Sequence, residues 1–174
     1  MSLPLENLAA NVAEALGRRG LLLATAESCT GGWVAQQLTA LAGSSAWFER
    51  GFVTYSNAAK EDMLGVRPAT LAAHGAVSEE TAREMAAGAL AHSRADVALS
   101  ITGIAGPSSG SPGKQVGTVC FAWCRRGADP VCSREVFPGD REAVRRQAVA
   151  RALKGLLDTL RGDAAASAPA ISVP

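Results

Sequence analysis

Two short apolar runs constrain this chain more than any other feature. LLLATA at 21–26 and ADVALSI at 95–101 carry one charge between them, run into turn signals, and are too short to be buried helices. Each is expected to be a strand covered on both faces, which requires helices above and below a sheet. The flanking segments supply them. Leu5, Leu8, Ala9, Val12, Ala15 and Leu16 recur at spacings of three and four, predicting an amphipathic helix over 4–19 that Gly20 ends. ESCTGG at 27–32 opens a second helix to about Leu41, and GSS at 43–45 is a loop. FERGFVTYS at 48–56 gathers Phe48, Phe52 and Tyr55 around β-branched residues and reads as a strand.

A short helix over 57–64 closed by Gly65 follows, then another turn or two from Pro68 to His74. Ser78 is placed to cap a further helix, with Glu79 and Glu80 in its first turn and Ala82, Met85, Ala86, Ala89 and Leu90 as its buried stripe. Beyond the run at 95–101, TGIAGPSSGSPGK is too rich in glycine and proline to continue a strand or helix. QVGTVCFAWC at 115–124 and PVCSREVF at 130–137 form a hairpin around RRGAD. Val149, Leu153, Leu156 and Leu160 mark a closing helix from about 140 to 161. The order predicts an α/β fold, a three-layer α/β/α sandwich with a mostly parallel mixed sheet, in one domain over 1–161 with a disordered tail over 162–174.

With 174 residues, 48% of them apolar, the chain can bury one sizeable core. Lys and Arg number 17 against 16 Asp and Glu, which leaves no global charge to attract nucleic acid or an anionic membrane. The basic excess lies in residues 114–161, at helical spacing, and reads as a solvated face from which a small phosphate needs only one arginine. Cys29, Cys120, Cys124 and Cys132 form no CxxC pair and have no histidine at zinc-finger spacing, so no metal site is expected. No run of about 18 apolar residues occurs. MSLPLENLAANV lacks the features of a signal peptide, so a cytoplasmic setting with reduced thiols is expected.

Ligands of open α/β sheets bind beyond the carboxyl ends of strands, where ESCTGG, YSNAAK and TGIAGP are expected. Ser28 lies in a strand-to-helix turn with Thr30, Gly31 and Gly32, so nearby N–H groups can face whatever its hydroxyl meets. Ser28 or Thr30 serves equally well as a helix cap. Lys60, just past the second strand, either reaches the same crevice or is an exposed helix lysine; as a general base it needs burial to lower its pKa. The loop over 102–113 matches neither GxGxxG nor GxxxxGK, because Ser108 stands where the latter requires its first glycine. It is either a flexible surface loop or a backbone cradle. His74 and His92 are the only histidines, and no GxSxG elbow accompanies them. Cys29 is an alternative nucleophile if a helix N-terminus lowers its pKa, or else a small buried apolar residue.

AESCTGGWVAQQL, GSSAWFERGFVTYSNAAKEDMLGV, HGAVSEETAREMAAGAL and SITGIAGPSSGSPGKQVGTV together resemble the C-terminal domain of the competence/damage-inducible CinA proteins, the nicotinamide-nucleotide amidase family, from about Leu8 to Leu160. The resemblance implies hydrolysis of the carboxamide of nicotinamide mononucleotide, a small-molecule nucleotide, to nicotinic acid mononucleotide and ammonia. It implies no metal or organic cofactor, and a homo-oligomer. It matches Ser28 to the nucleophile and Lys60 to the residue that activates it, with Tyr55 beside them and Thr102 on the loop after the third strand. Gly43 and Ser45 match a turn lining the pocket, and Arg141 an arginine ahead of the last helix. Thr30, Gly31, Gly32, Gly103, Ala105 and Gly106 complete the expected substrate-binding set, and Arg141 or the backbone of 102–106 is expected to hold the 5′-phosphate. Ser108, Ser109 and Gln115 depart from the more glycine-rich loop of the family. The alternative is a non-catalytic nucleotide-sensing or protein-interaction module.

Overall fold

The computed structural model describes residues 3–166, with side chains through Gly162. Helix α1 (Leu5–Arg19) buries Leu5, Leu8, Val12 and Leu16, and Gly20 ends it in the left-handed conformation that only glycine adopts cheaply. β1 (Leu23–Glu27) follows, fully buried as its apolar run requires. Helix α2 (Trp33–Thr39) and a 3-10 turn (Ser44–Ala46) lead into β2 (Phe48–Val53). Helices α3 (Asn57–Leu64), α4 (Pro68–His74) and α5 (Glu79–Ala91) then cross to β3 (Val97–Gly103). β4 (Thr118–Arg125) and β5 (Val131–Val136) form the hairpin, and α6 (Arg141–Ala166) closes the fold.

The sheet has the order β2-β1-β3-β4-β5. β2, β1 and β3 pair in parallel; β4 pairs antiparallel with β3 and with β5, so β4 alone runs against the rest. Each face carries its own core. On one, Leu23, Leu99, Ile101, Phe121 and Trp123 pack against Leu8, Leu16, Leu38, Leu153 and Leu156 of α1, α2 and α6. On the other, the strands offer mainly alanines (Ala24, Ala26, Ala98, Ala122), which lets α5 approach closely with Ala82, Ala86 and Ala89. Gly88 on α5 lies under the end of α3, where an added Cβ would stand 2.0 Å from the Leu64 carbonyl oxygen. The three expected layers are thus present.

Several boundaries differ from the sequence reading. β3 runs on to Gly103, because Thr102 and Gly103 still pair with Cys120 and Val119 of β4 instead of opening the glycine-rich loop, and β4 starts only at Thr118. The second helix starts at Trp33 rather than near Ser28, because Gly31 (φ 62°) and Gly32 (φ 100°) put a turn ahead of it. β2 ends at Val53; the Thr54 N–H makes the last bond to β1, at Glu27 O, before the chain turns to α3. Helix α6 continues to Ala166, past the expected end at 161, so the first part of the expected tail is helical; residues 167–174 lie outside the described residues.

From β1 the chain leaves through α2 towards β2, and from β3 it leaves the other way towards β4. The carboxyl ends of β1 and β3 therefore flank a switch point, the place where an open α/β sheet presents a crevice.

Candidate active site

β1 delivers Ser28 to that crevice. The Ser28 N–H donates to Ile101 O at 3.0 Å, extending the β1–β3 ladder by one residue before the chain turns away. Ser28 is 8% exposed, so its hydroxyl sits at the floor of the crevice rather than on the surface.

Lys60 approaches from α3, whose start is fixed by the Ser56 hydroxyl accepting from the Ala59 N–H. Its side chain is buried, at 1% exposure. Nζ lies 3.1 Å from Ser28 Oγ, 2.9 Å from Thr54 O and 3.3 Å from Tyr55 O. None of these partners is a carboxylate. Burial without a counter-ion pushes the amine below its ordinary pKa, with the nearby Cys29 opposing the shift weakly. A neutral amine has two N–H donors and one lone pair. In the structure Lys60 Nζ donates to Ser28 Oγ as well as to the two carbonyls, and the Ser28 hydroxyl donates to Tyr55 O at 3.4 Å; an amine that has lost its proton would turn a lone pair to Ser28 Oγ in place of the first of these donors.

Glu27 is a residue beside the site that the sequence reading did not single out. Buried at 1% exposure, its carboxylate accepts from Thr30 Oγ1 at 2.7 Å and from the Val34 and Ala35 N–H groups at 2.9 and 3.1 Å. It therefore caps α2 in place of the hydroxyls considered for that role, and Ser28 is released from capping. The same contacts consume the Val34 and Ala35 amides in the first turn of α2, so these do not face a ligand. The Gly32 N–H, partly exposed, meets no internal acceptor among the described residues.

Tyr55 is split between two environments. Its carbonyl belongs to the Ser28–Lys60 cluster, whereas its ring is 62% exposed and its phenol accepts from Arg141 Nη2 at 3.2 Å. Arg141, the first residue of α6, also donates through Nη1 to Gly106 O at 2.7 Å. It thus bridges the end of the TGIAG segment to the loop before α3. Thr102 is buried and its hydroxyl donates to Ala76 O at 2.7 Å, fixing the approach to α5. A Cβ at Gly103 would stand 2.7 Å from Val119 Cγ2, and one at Gly106 2.6 Å from Val116 Cγ1, so close packing by itself demands both glycines. Ala105 is buried beside them.

Gly43 and Ser45 are not brought to this place. They precede β2, where Trp47 O accepts from the Leu23 N–H at the start of β1. Ser28 lies past the other end of that strand, about 16 Å away at roughly 3.3 Å per residue. The parallel β1–β2 pairing enforces the separation.

Cys29, next to Ser28, has its thiol pushed up to about 12, mainly by burial, the opposite of the activation that a helix start would give. His74 lies beside Glu80 and His92 against Gly88 O, so neither meets Ser28. Among the described residues no group of three or more His, Cys, Asp or Glu side chains is arranged to hold a metal ion. Among the same described residues no helix is long and apolar enough to cross a membrane.

The chain is thus a three-layer α/β domain with a buried serine and lysine in contact at its switch point and no histidine beside them. The chain belongs to the CinA C-terminal domain family, whose model matches residues 5–160. It is 60% identical over 152 residues to the nicotinamide-nucleotide amidohydrolase PncC of Escherichia coli K12, covering 87% of this chain and 92% of that protein. The protein of the same name from Pseudomonas putida is 51% identical, covering 88% of this chain and 96% of its own length. A crystal structure of a CinA superfamily protein from Klebsiella pneumoniae 700603 superposes with a TM-score of 0.89 at 46% identity, covering 92% and 99% of the two chains.

Proposed function

We propose that this protein hydrolyses the carboxamide of nicotinamide mononucleotide, giving nicotinic acid mononucleotide and ammonia, with Ser28 as nucleophile and Lys60 as its base and acid. The substrate class rests on relatives named nicotinamide-nucleotide amidohydrolase at 50–60% identity over most of the chain. The mechanism rests on one observation, the buried Lys60 amine 3.1 Å from Ser28 Oγ with no carboxylate among its partners.

Neutral Lys60 takes the Ser28 proton as Oγ bonds to the carboxamide carbon, and the carbonyl oxygen becomes an oxyanion. The Gly32 N–H is the donor we assign to that oxyanion. The C–N bond then breaks, and the Lys60 ammonium returns its proton to the departing nitrogen, which leaves as ammonia. Water attacks the acyl-serine ester, giving a proton to Lys60, and the ester bond breaks as Ser28 recovers that proton. No proton is lost or gained by the pair over the cycle.

Arg141 is the side chain we assign to the 5′-phosphate, since it stands at the crevice mouth between Tyr55 and Gly106. The exposed Tyr55 ring offers a face to the cationic pyridinium. In the same reading the protein is cytoplasmic and a homo-oligomer. The turn holding Gly43 and Ser45 then reaches a Ser28 site only from a second copy.

The test measures ammonia and nicotinic acid mononucleotide from nicotinamide mononucleotide with wild-type protein and Ser28→Ala, both under metal chelation. Turnover by the wild type alone is expected. Turnover by both removes Ser28 as nucleophile, and binding without turnover by either favours the nucleotide-sensing module.

A further inference from the structure

Arg145 lies one helical turn after Arg141 on α6, among basic residues that the sequence reads as a solvated face. Its guanidinium points inward instead. Nε donates to Cys29 O at 3.1 Å and Nη2 to Thr30 O at 3.1 Å, while its carbon lies 5.4 Å from the centre of the Trp33 ring. Both carbonyls belong to residues that directly follow Ser28.

The turn needs such an anchor. Between Glu27 and Trp33 the chain has neither a helix nor a strand ladder, and Gly31 and Gly32 loosen it further. Ser28 is held from behind by Ile101 O, and its own carbonyl accepts from the Gly31 N–H at 3.0 Å. Glu27 fixes the exit at Thr30, Val34 and Ala35. Among the described residues, Arg145 is the one side chain that donates to the carbonyls of the turn itself. A trans peptide is a rigid plane, so holding its oxygen fixes the plane between the two flanking Cα atoms. Arg145 thereby sets the two planes spanning residues 29–31, and they determine how the backbone leaves Ser28.

We propose that Arg145 is a positioning residue for the nucleophile, keeping Ser28 Oγ within hydrogen-bond reach of Lys60 Nζ by fixing the two peptide planes near it. The inference rests on the Ser28–Lys60 reading above and adds a residue that acts through the backbone of the turn. It also divides the first two turns of α6 between two tasks. Arg141 faces the crevice mouth and Arg145 faces the nucleophile's support.

The test compares Arg145→Ala and Arg145→Lys in steady-state hydrolysis of nicotinamide mononucleotide, with a crystal structure of Arg145→Ala. Misplacement of a reacting group by about 1 Å costs about 10²-fold in rate. Arg145→Ala is therefore expected to lose about 10²-fold in kcat with KM changed less than about threefold, and Ser28 Oγ should be drawn beyond hydrogen-bond distance of Lys60 Nζ. Arg145→Lys, whose ammonium reaches one of the two carbonyls, should recover about tenfold of the loss. If Arg145→Ala does not fold, a reduced kcat at unchanged KM in Arg145→Lys supports the proposal, and wild-type kcat there overturns it. An intact Ser28–Lys60 contact in the alanine variant, or a loss lying wholly in KM, also overturns it. A broken contact with wild-type kcat upholds the positioning and instead removes the Ser28–Lys60 mechanism.

Discussion

Lys60 Nζ meets Ser28 Oγ at 3.1 Å, with two backbone carbonyls as its remaining partners. Carbonyls accept from an amine in either charge state but add no negative charge to hold the proton on it. This distinguishes a lysine suited to act as a base from one locked in an ion pair.

Replacing Lys60 with Met should therefore separate activity from stability. A positioned base contributes about 10²–10⁴ in rate, and kcat is expected to fall by that factor. Because the folded-state pKa is lowered, the unfolded chain binds the extra proton between that value and the ordinary one near 10.5. Wild-type stability should accordingly rise with pH through that window and stay level, at its lower value, below the depressed pKa, where both states hold the proton. Urea unfolding across alkaline pH checks this. The slope should weaken in Lys60→Met, and wild-type kcat/KM should rise with pH as Lys60 loses its proton.

Glu27→Ala leaves a hydroxyl and two helix-start amides without their acceptor. Unsatisfied buried groups cost about 1–3 kcal/mol each, and some rehydrate, so a loss of about 2–4 kcal/mol in denaturant unfolding is expected. Glu27→Gln keeps one acceptor oxygen and should lose about half as much.

Arg141→Ala should raise KM for nicotinamide mononucleotide about tenfold or more while kcat changes little. A collapse of kcat at fixed KM would place Arg141 in the transition state instead. Tyr55→Phe removes only the phenol that accepts from Arg141 and should alter KM less than about threefold. Tyr55→Ala removes the exposed ring and should raise KM further.

Gly88→Ala should damage a site that it does not touch. The new methyl would collide with the Leu64 carbonyl, and Leu64 is four residues from Lys60 on the same short helix. Overpacking costs about 1–3 kcal/mol, and a displaced α3 carries the amine away from Ser28. A lowered melting temperature together with reduced kcat is expected.

Much of this was legible in the sequence because the informative signals are local. The apolar runs became β1 and β3, Gly20 and Gly65 ended their helices, and Ser78 caps α5 through Thr81. Ser28 and Lys60 could be nominated by their places after two strands, but the burial that gives Lys60 its chemistry comes from residues far apart in the chain. Glu27 escaped notice because a glutamate at a strand end looks like a solvated turn residue; its value depends on α2 folding back over it. Arg145 was hidden by its periodicity, since one inward-facing arginine in a basic helix has the spacing of its exposed neighbours. Gly43 and Ser45, matched by resemblance, lie at the opposite end of β1 from Ser28 within one copy, a separation that depends on the strand pairing and has no local signal.

The buried thiol beside Ser28 bears on how the protein meets oxidants. Burial pushes the Cys29 thiol up to about 12, so it stays protonated at neutral pH, and peroxides and alkylating agents react with the ionised form. A sulfur stands next to the reacting oxygen, yet it offers those reagents almost nothing to attack. A hydrolase acting through Ser28, as we propose, is thereby insulated from the oxidation that silences cysteine hydrolases.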